Sequence, residues 1–336
     1  MDNRYSRQII FPGIGEEGQQ KLGRSRVVVI GCGALGGVIA TTLVRAGVGQ
    51  VSIIDRDFIE YHNLARQVLF DEDDIRDQLP KAVAAERHLK RINSSVTVEG
   101  IVADVNHTNI EGLVSGADLI LDGLDNLETR FLINDVSLKH GIPWVYGGAV
   151  SASGMTMTII PGDTPCFRCV SPQPPHGRPN PTCDTAGVIA PAPFIIGSLQ
   201  SAEALKILAG AGEINRKLII IDLWQSTFHQ LDISRRPDCP ACHGKYEFLK
   251  GRFGLRATSL CGQNSVQVLN PKMKELPFKE LAARLKAVGE VSYNEFMLRL
   301  IADGQEMIIF PDGRAIVRNT TDLSLAKGLY AKYIGT

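Results

Sequence analysis

The chain has 336 residues, enough for one large or two ordinary domains. Thirty-six basic residues balance thirty-six acidic ones, so no global field argues for nucleic acid or an anionic membrane surface. The opening Met-Asp-Asn-Arg-Tyr lacks the apolar core of a signal peptide, and the odd count of seven cysteines suits a reducing, cytoplasmic setting with metal or thiol chemistry.

Arg4-Tyr-Ser-Arg7-Gln-Ile comes first, and solvated charge is the plain reading of both arginines. Ile14 to Leu22 reads as a short helix. Val27 to Ile30, four β-branched residues in a row, read as a buried parallel strand. Gly31, Gly33 and Gly36 then form a tight turn into an apolar helical run, Val38 to Val48. Such a turn lets the backbone approach a phosphate, and the helix start offers free N–H groups. Val51 to Asp55 is the next strand, and its terminal acid is placed to take ribose hydroxyls.

The polar loop after it carries Asp57, His62, Asn63, Arg66 and Gln67, beyond the carboxyl end of a parallel strand, where doubly wound sheets place ligands. Lys81 to Ile92 reads as an amphipathic helix. Lys81 sits at its start, which the helix dipole disfavours for a cation and which hints at a nearby anion. Val96 to Val105 is a third strand; Ala117 to Asn126 is a fourth, ending in Asp125-Asn126 at the same edge. Leu127 to His140 is a helix, and Trp144 to Val150 and Met155 to Ile160 are strands. The alternation argues for a mainly parallel sheet covered on both faces.

Cys166-Phe-Arg-Cys169 leads into a proline-rich loop, Ser171 to Cys183; helix Pro193 to Ala209 follows. Polar residues interrupt the apolar stretch Ala190 to Gly212, which makes it a packed helix and not a membrane span. A long strand from Lys217 to Ser234 precedes Cys239-Pro-Ala-Cys242. Two Cys-x-x-Cys pairs supply the four thiolates of a closed structural zinc site, with separate redox pairs as the alternative. Cys183 lies in the loop, either incidental or exposed. The chain divides into residues 1–249 and a small α+β appendage, 250–336, with a strand from Ser265 to Leu269, helices near Phe278–Val288 and Leu323–Tyr333, and a hairpin turning at Pro311-Asp312-Gly313.

Asp55, Asp57, Asn63, Arg66, Gln67, Lys81 and Asp125 combine carboxylates suited to magnesium with cations suited to polyphosphate. A nicotinamide site needs one acid and no cationic cluster. There is no Gly-x-x-x-x-Gly-Lys-Ser/Thr loop, so this is not a P-loop enzyme.

At these residues the sequence resembles the ThiF/MoeB/HesA family, prokaryotic relatives of ubiquitin-activating enzymes. The match runs from about Arg4 to Gly244. Arg4-Tyr-Ser-Arg7-Gln-Ile, Gly31-Cys-Gly-Ala-Leu-Gly36, Asp55-Arg-Asp57, Asn63-Leu-Ala-Arg66-Gln67, Lys81, Asp125-Asn126, both cysteine pairs and Ala186-Gly-Val-Ile-Ala-Pro carry it. The resemblance implies a Rossmann-like, doubly wound α/β fold with a C-terminal antiparallel extension. It also implies ATP-dependent adenylation of the C-terminal glycine of a small ubiquitin-like sulfur-carrier protein ending in Gly-Gly. Gly31, Gly33, Ala34 and Gly36 would cradle the nucleotide, Asp55 hold the ribose, and Asn63, Arg66 and Lys81 the phosphates. Asp125 would hold magnesium, with Asp57, Gln67 and Asn126 beside it. Arg7 would reach in from the second subunit of a homodimer. Cys183 matches a loop cysteine that in some members carries sulfur or a thioester. Ala34 stands where many members have glycine, and the segment before Lys81 is longer than usual. The appendage is a candidate dock for the carrier or a sulfur donor protein. The rival readings are a small molecule or modified tRNA base as the adenylated substrate, or an NAD-dependent oxidoreductase.

Overall fold

The computed structural model describes residues 3–172, 183–251, 258–260, 265–269 and 276–335. Contacts divide the chain into two compact units, Met1–Arg252 and Phe253–Thr336.

The first unit is built on eight strands: β1 (Arg26–Ile30), β2 (Gln50–Asp55), β3 (Thr97–Val102), β4 (Leu119–Asp122), β5 (Trp144–Val150), β6 (Ser153–Ile159), β7 (Leu218–Asp222) and β8 (Thr227–Leu231). They lie in the order β3-β2-β1-β4-β5-β6-β7-β8. The ladders from β3 to β5 are parallel and those from β5 to β8 antiparallel. Helices α1 (Ala34–Ala46), α2 (Lys81–Ile92), α3 (Leu127–His140) and α4 (Pro191–Ala209) accompany the sheet. Val27 to Ile30 are wholly buried, as a strand covered on both faces requires. The chain steps outward from β1 to β2 and β3, then crosses back to β4 on the other side of β1. That reversal opens a crevice at the carboxyl ends of these strands. Helix α4 is fastened to the sheet by buried Gln200, whose Nε2 donates to Asp122 O (2.9 Å) and Val145 O (3.1 Å). Among the described residues no helix is long and apolar enough to cross a membrane.

Two expected strands overran. Residues 103–105 leave the sheet after Val102, and residues 123–126 leave it after Asp122. The single strand expected over 217–234 is a hairpin. Asp222 Oδ1 accepts from the backbone N–H of Trp224 and of Gln225, both at 2.9 Å, which turns the chain back at Ser226.

In the second unit, β9 (Thr258–Leu260), β10 (Ser265–Val268), β11 (Glu290–Tyr293), β12 (Leu298–Ala302), β13 (Gln305–Ile309) and β14 (Ala315–Arg318) form an antiparallel sheet in the order β11-β12-β13-β14-β10-β9. Helices α5 (Phe278–Leu285) and α6 (Leu323–Tyr333) supply Leu281, Leu285, Leu329 and Tyr330 to its core, against Leu298, Leu300, Met307 and Val317. The β13–β14 hairpin turns where expected. The β11–β12 hairpin was not foreseen; Asn294 Oδ1 makes its turn by accepting from Phe296 N (2.8 Å) and Met297 N (2.9 Å).

Candidate functional site

A cleft open to solvent lies at the carboxyl ends of β1, β2, β3 and β4. Its walls include Gly31, Gly33, Ala34, Asp55, Asp57, Arg66, Gln67, Lys81, Asp125 and Asn126, residues far apart in sequence.

The turn after β1 needs its glycines. Gly31 has φ +90°, and a Cβ there would lie 2.7 Å from Gly123 O. A Cβ on Gly36 would fall 1.9 Å from Gly31 O, so α1 packs against its own turn backbone to backbone. Gly36 therefore shapes the site without lining it. The first N–H groups of α1 have no partner inside the helix, an arrangement suited to an anion.

Asp55 ends β2. Its Oδ2 accepts from Cys32 N at 2.6 Å and its Oδ1 from Asp57 N at 2.7 Å, which locks the carboxylate between the turn and the following loop. Desolvation pushes this carboxyl up, against the pull of the Lys81 ammonium. Each oxygen retains a lone pair that can accept a further hydrogen bond.

Lys81 opens α2 with only 7 % of its surface exposed, and its Nζ lies 3.3 Å from Asp57 Oδ2. Burial works against its charge, but Asp57, Asp55 and Asp125 outweigh burial and hold the ammonium above the usual lysine value. The anion implied by a lysine at a helix start is thus one of the protein's own carboxylates. Arg66 Nη1 donates to His62 O at 2.8 Å, at the rim.

Asn63 and Asn126 have local duties. Asn63 is buried, does not line the cleft, and accepts from Glu60 N at 3.0 Å through Oδ1. Its backbone carbonyl receives the N–H groups of Arg66 (3.0 Å) and Gln67 (2.9 Å), so it shapes the turn that presents them. Asn126 lines the cleft, and its Oδ1 accepts from Thr129 N at 3.0 Å as the N-cap of α3. Arg7 is exposed on a short helix, Ser6–Ile10, away from the cleft lining of its own chain. Cys183 opens the turn Cys183–Ala186, and its side chain lies outside the described residues, as does Cys261. The chain then returns to the cleft: Ser151 N donates to Gly187 O at 2.8 Å, and Val188 and Pro193 line the wall.

Sequence reasoning missed Arg56, Asp104 and Arg130. Arg56 and Asp104 line the cleft and pair at 2.7 Å. Arg130 is buried on α3 and bonds Asp122 Oδ2 (2.9 Å), Leu124 O (2.5 Å) and Gly147 O (2.8 Å), fixing the bend that carries Asp125. An arginine inside a helical pattern gives no sign of such a role. The signal was Asp122, a carboxylate inside an apolar strand, which demands a cation.

The four cysteines of the two pairs converge. Sγ separations are 3.8 Å (Cys166–Cys169), 3.6 Å (Cys166–Cys239), 3.7 Å (Cys169–Cys242) and 3.4 Å (Cys166–Cys242). A tetrahedral zinc with bonds of about 2.3 Å places its sulfurs about 3.8 Å apart, and four thiolates are its preferred structural set. The donors fit zinc. With no open position, the ion would join the segment at 166–169 to the segment at 239–242.

The sequence profile of the ThiF family matches residues 5–241. The chain is 44 % identical over 339 residues to the sulfur carrier protein ThiS adenylyltransferase of Bacillus subtilis (strain 168), covering 100 % of both. It is 39 % identical to the SAMP-activating enzyme E1 of Haloferax volcanii, over 71 % of this chain and 88 % of that one. The crystal structure of E. coli MccB with ATP superposes with a TM-score of 0.64 at 27 % identity, covering 72 % of this chain and 75 % of that one. With its fold, its cleft and its cysteine cluster, this chain belongs to the ThiF family.

Proposed function

We propose that this chain is an ATP-dependent adenylyltransferase acting on the C-terminal glycine carboxylate of a small sulfur-carrier protein, for thiamine, molybdenum-cofactor or related sulfur transfer. One observation carries the reading: the Gly31–Gly36 turn, Asp55, Arg66, Lys81 and Asp125 meet around one cleft.

A carboxylate oxygen of the carrier tail attacks the α-phosphorus; its O–P bond forms as the bond to the bridging oxygen of pyrophosphate breaks. The barrier is one of charge: two anions must meet, and the leaving group departs with more negative charge than it held. The α1 N-terminus and the cations of Lys81 and Arg66 neutralise that charge, and Asp55 orients the nucleotide through its ribose. Magnesium would be held by Asp125 together with phosphate oxygens and water, the usual arrangement for a nucleotide-bound ion. Arg7 would add its guanidinium from the second subunit of a homodimer. Where a covalent step follows, the Cys183 thiolate would attack the acyl carbon and release AMP. The zinc is structural, and the second unit is the candidate dock for the carrier or a sulfur donor.

The test is exchange of labelled pyrophosphate into ATP. Exchange that appears only with a carrier ending in Gly-Gly supports the reading; exchange with none of a panel of such carriers, while a small acid or a tRNA supports it, moves the substrate class.

A further inference from the structure

Arg66 and Lys81 both line the cleft, and they stand at the two ends of one stretch of chain. Asp74 lies between them, on the one-turn helix Glu72–Arg76, and is fastened on both sides. Its backbone carbonyl receives Leu79 N at 3.1 Å, two residues before Lys81. Its buried carboxylate reaches the body of α2, where His88 Nε2 lies 3.0 Å from Oδ1 and 2.9 Å from Oδ2. Asp74 Oδ2 also accepts from Asp71 N at 3.0 Å, which closes the cap of the one-turn helix.

The proton on the imidazole follows from its other neighbour. Arg91 Nη2 lies 2.7 Å from His88 Nδ1. A guanidinium only donates, so Nδ1 accepts, and the single proton of a neutral ring sits on Nε2, where Asp74 takes it. Asp71, Asp74 and His88 also offer three ligand atoms within 4.8 Å of one another. A metal at Nε2 would send the proton to Nδ1, against Arg91, so this arrangement favours a hydrogen bond over an ion.

His88 follows Lys81 by two turns on the same face of α2. Lys81 N is itself pinned to Asp57 O at 2.8 Å. With Ala82, Ala85 and Leu89 buried, the freedom left to α2 is a slide or a twist, and a second anchor two turns on removes it. We infer that Asp74 and His88 are positioning residues for the adenylation: their hydrogen bond ties the segment after Gln67 to α2 and fixes Lys81 relative to Arg66. The inference rests on the ATP reading above and adds to it what holds the two cations in register. Charge stabilisation at a reacting phosphate depends on such fixed geometry.

The experiment measures carrier-dependent pyrophosphate exchange by the full-length chain and by Asp74→Ala, His88→Ala, His88→Gln, Lys81→Gln and the Lys81→Gln/His88→Ala double variant, each below its melting midpoint. Both single alanine variants should lower kcat by about 10-fold with KM for ATP nearly unchanged, the pattern of an interaction made in the transition state. His88→Gln should keep most of the wild-type rate, because its amide N–H reaches Asp74 where the ring N–H does. In the Lys81→Gln background His88→Ala should cost little more. Unchanged kcat in both alanine variants, an equal loss in the Lys81→Gln background, or His88→Gln as slow as His88→Ala would each overturn the inference. ¹⁵N NMR of the wild type, with the His88 signal assigned by its absence from His88→Gln, should place the ring proton on Nε2 under mildly alkaline conditions. A proton on Nδ1 would overturn the inference even if the alanine variants failed to fold. Absence of exchange by the wild-type chain with every Gly-Gly carrier would instead sink the reading beneath it.

Discussion

Lys81 Nζ lies 3.3 Å from Asp57 Oδ2 at the buried start of helix α2, a cation where the helix dipole is hostile to one. Asp57 makes that position tenable. The pair holds the lysine in the wall of the cleft that the turn after β1 also lines.

Replacing this lysine separates chemistry from binding. Lys81→Gln should lower kcat/KM for pyrophosphate exchange by about 10²–10³, because in the proposed mechanism this charge offsets that of the attacked phosphate. It also leaves Asp57 short of a partner, so Lys81→Gln with Asp57→Asn should be more stable to heat than Lys81→Gln alone, while activity stays lost. Exchange kinetics and melting midpoints on the three variants check both statements.

The turn after β1 has no room for a methyl group at Gly36. Gly36→Ala places a Cβ 1.9 Å from Gly31 O, backbone that can yield only by moving α1 or β1. A loss of at least about 1–3 kcal/mol follows, together with loss of ATP-dependent stabilisation in the same melting experiment. Ala34, by contrast, is the first residue of α1 and lines the cleft with its methyl group already in place, so Ala34→Gly should change ATP binding little.

The metal clamp makes a separate prediction. Strong chelation, or Cys239→Ser, should release one equivalent of zinc and lower the melting midpoint, with a shift of about 2–4 °C for each kcal/mol lost. Phe131 on α3 stacks on Phe248, six residues beyond the second pair (4.7 Å between centroids), and meets Phe167, within the first pair, edge-on (5.2 Å), so the chain around both pairs bears on the helix that Asn126 caps. Readouts are metal stoichiometry and near-ultraviolet circular dichroism.

Asp135 gives the pH dependence. It is buried on α3, where its Oδ2 accepts from Phe248 N at 2.9 Å. Burial pushes its carboxyl up to about 6, against the backbone bonds from Phe248 and Leu249. Because the folded value lies above the unfolded one, the native state binds the extra proton between about pH 4 and 6. The contribution is fully present below pH 4 and is lost as pH rises through 6. Asp135→Asn removes that slope, so its midpoint relative to wild type should climb between pH 4 and 7 by the equivalent of about 1–3 kcal/mol. Zinc affects both proteins alike and cancels in the difference. A flat difference across that range would mean that Asp135 titrates normally.

Much of this architecture was legible because it follows from pattern. Four consecutive β-branched residues, three glycines and an acid twenty residues on describe β1, its turn and β2, and Lys81–Ile92 and Leu127–His140 emerged with their observed ends. The failures share a cause. Residues 103–105 (Ala-Asp-Val) and 123–126 (Gly-Leu-Asp-Asn) continue apolar strands in sequence, yet their Gly, Asp and Asn suit turns, and they leave the ladder to line the cleft. Likewise Asp222 and Asn294 end strands through single side-chain bonds to backbone N–H groups that no period encodes. In the cleft, residue types announced the charges but not their partners. Asn63, expected at the phosphates, caps a turn, and Arg56, passed over between two aspartates, faces the cleft.

Attack at the α-phosphorus is the claim on which the account stands, and oxygen labelling tests it. A carrier with ¹⁸O in its C-terminal carboxylate is turned over with ATP, and the acyl group is then trapped with hydroxylamine. The account predicts one labelled oxygen in the AMP released and none in pyrophosphate. Label in orthophosphate with ADP as product would place the attack on the γ-phosphorus and contradict it.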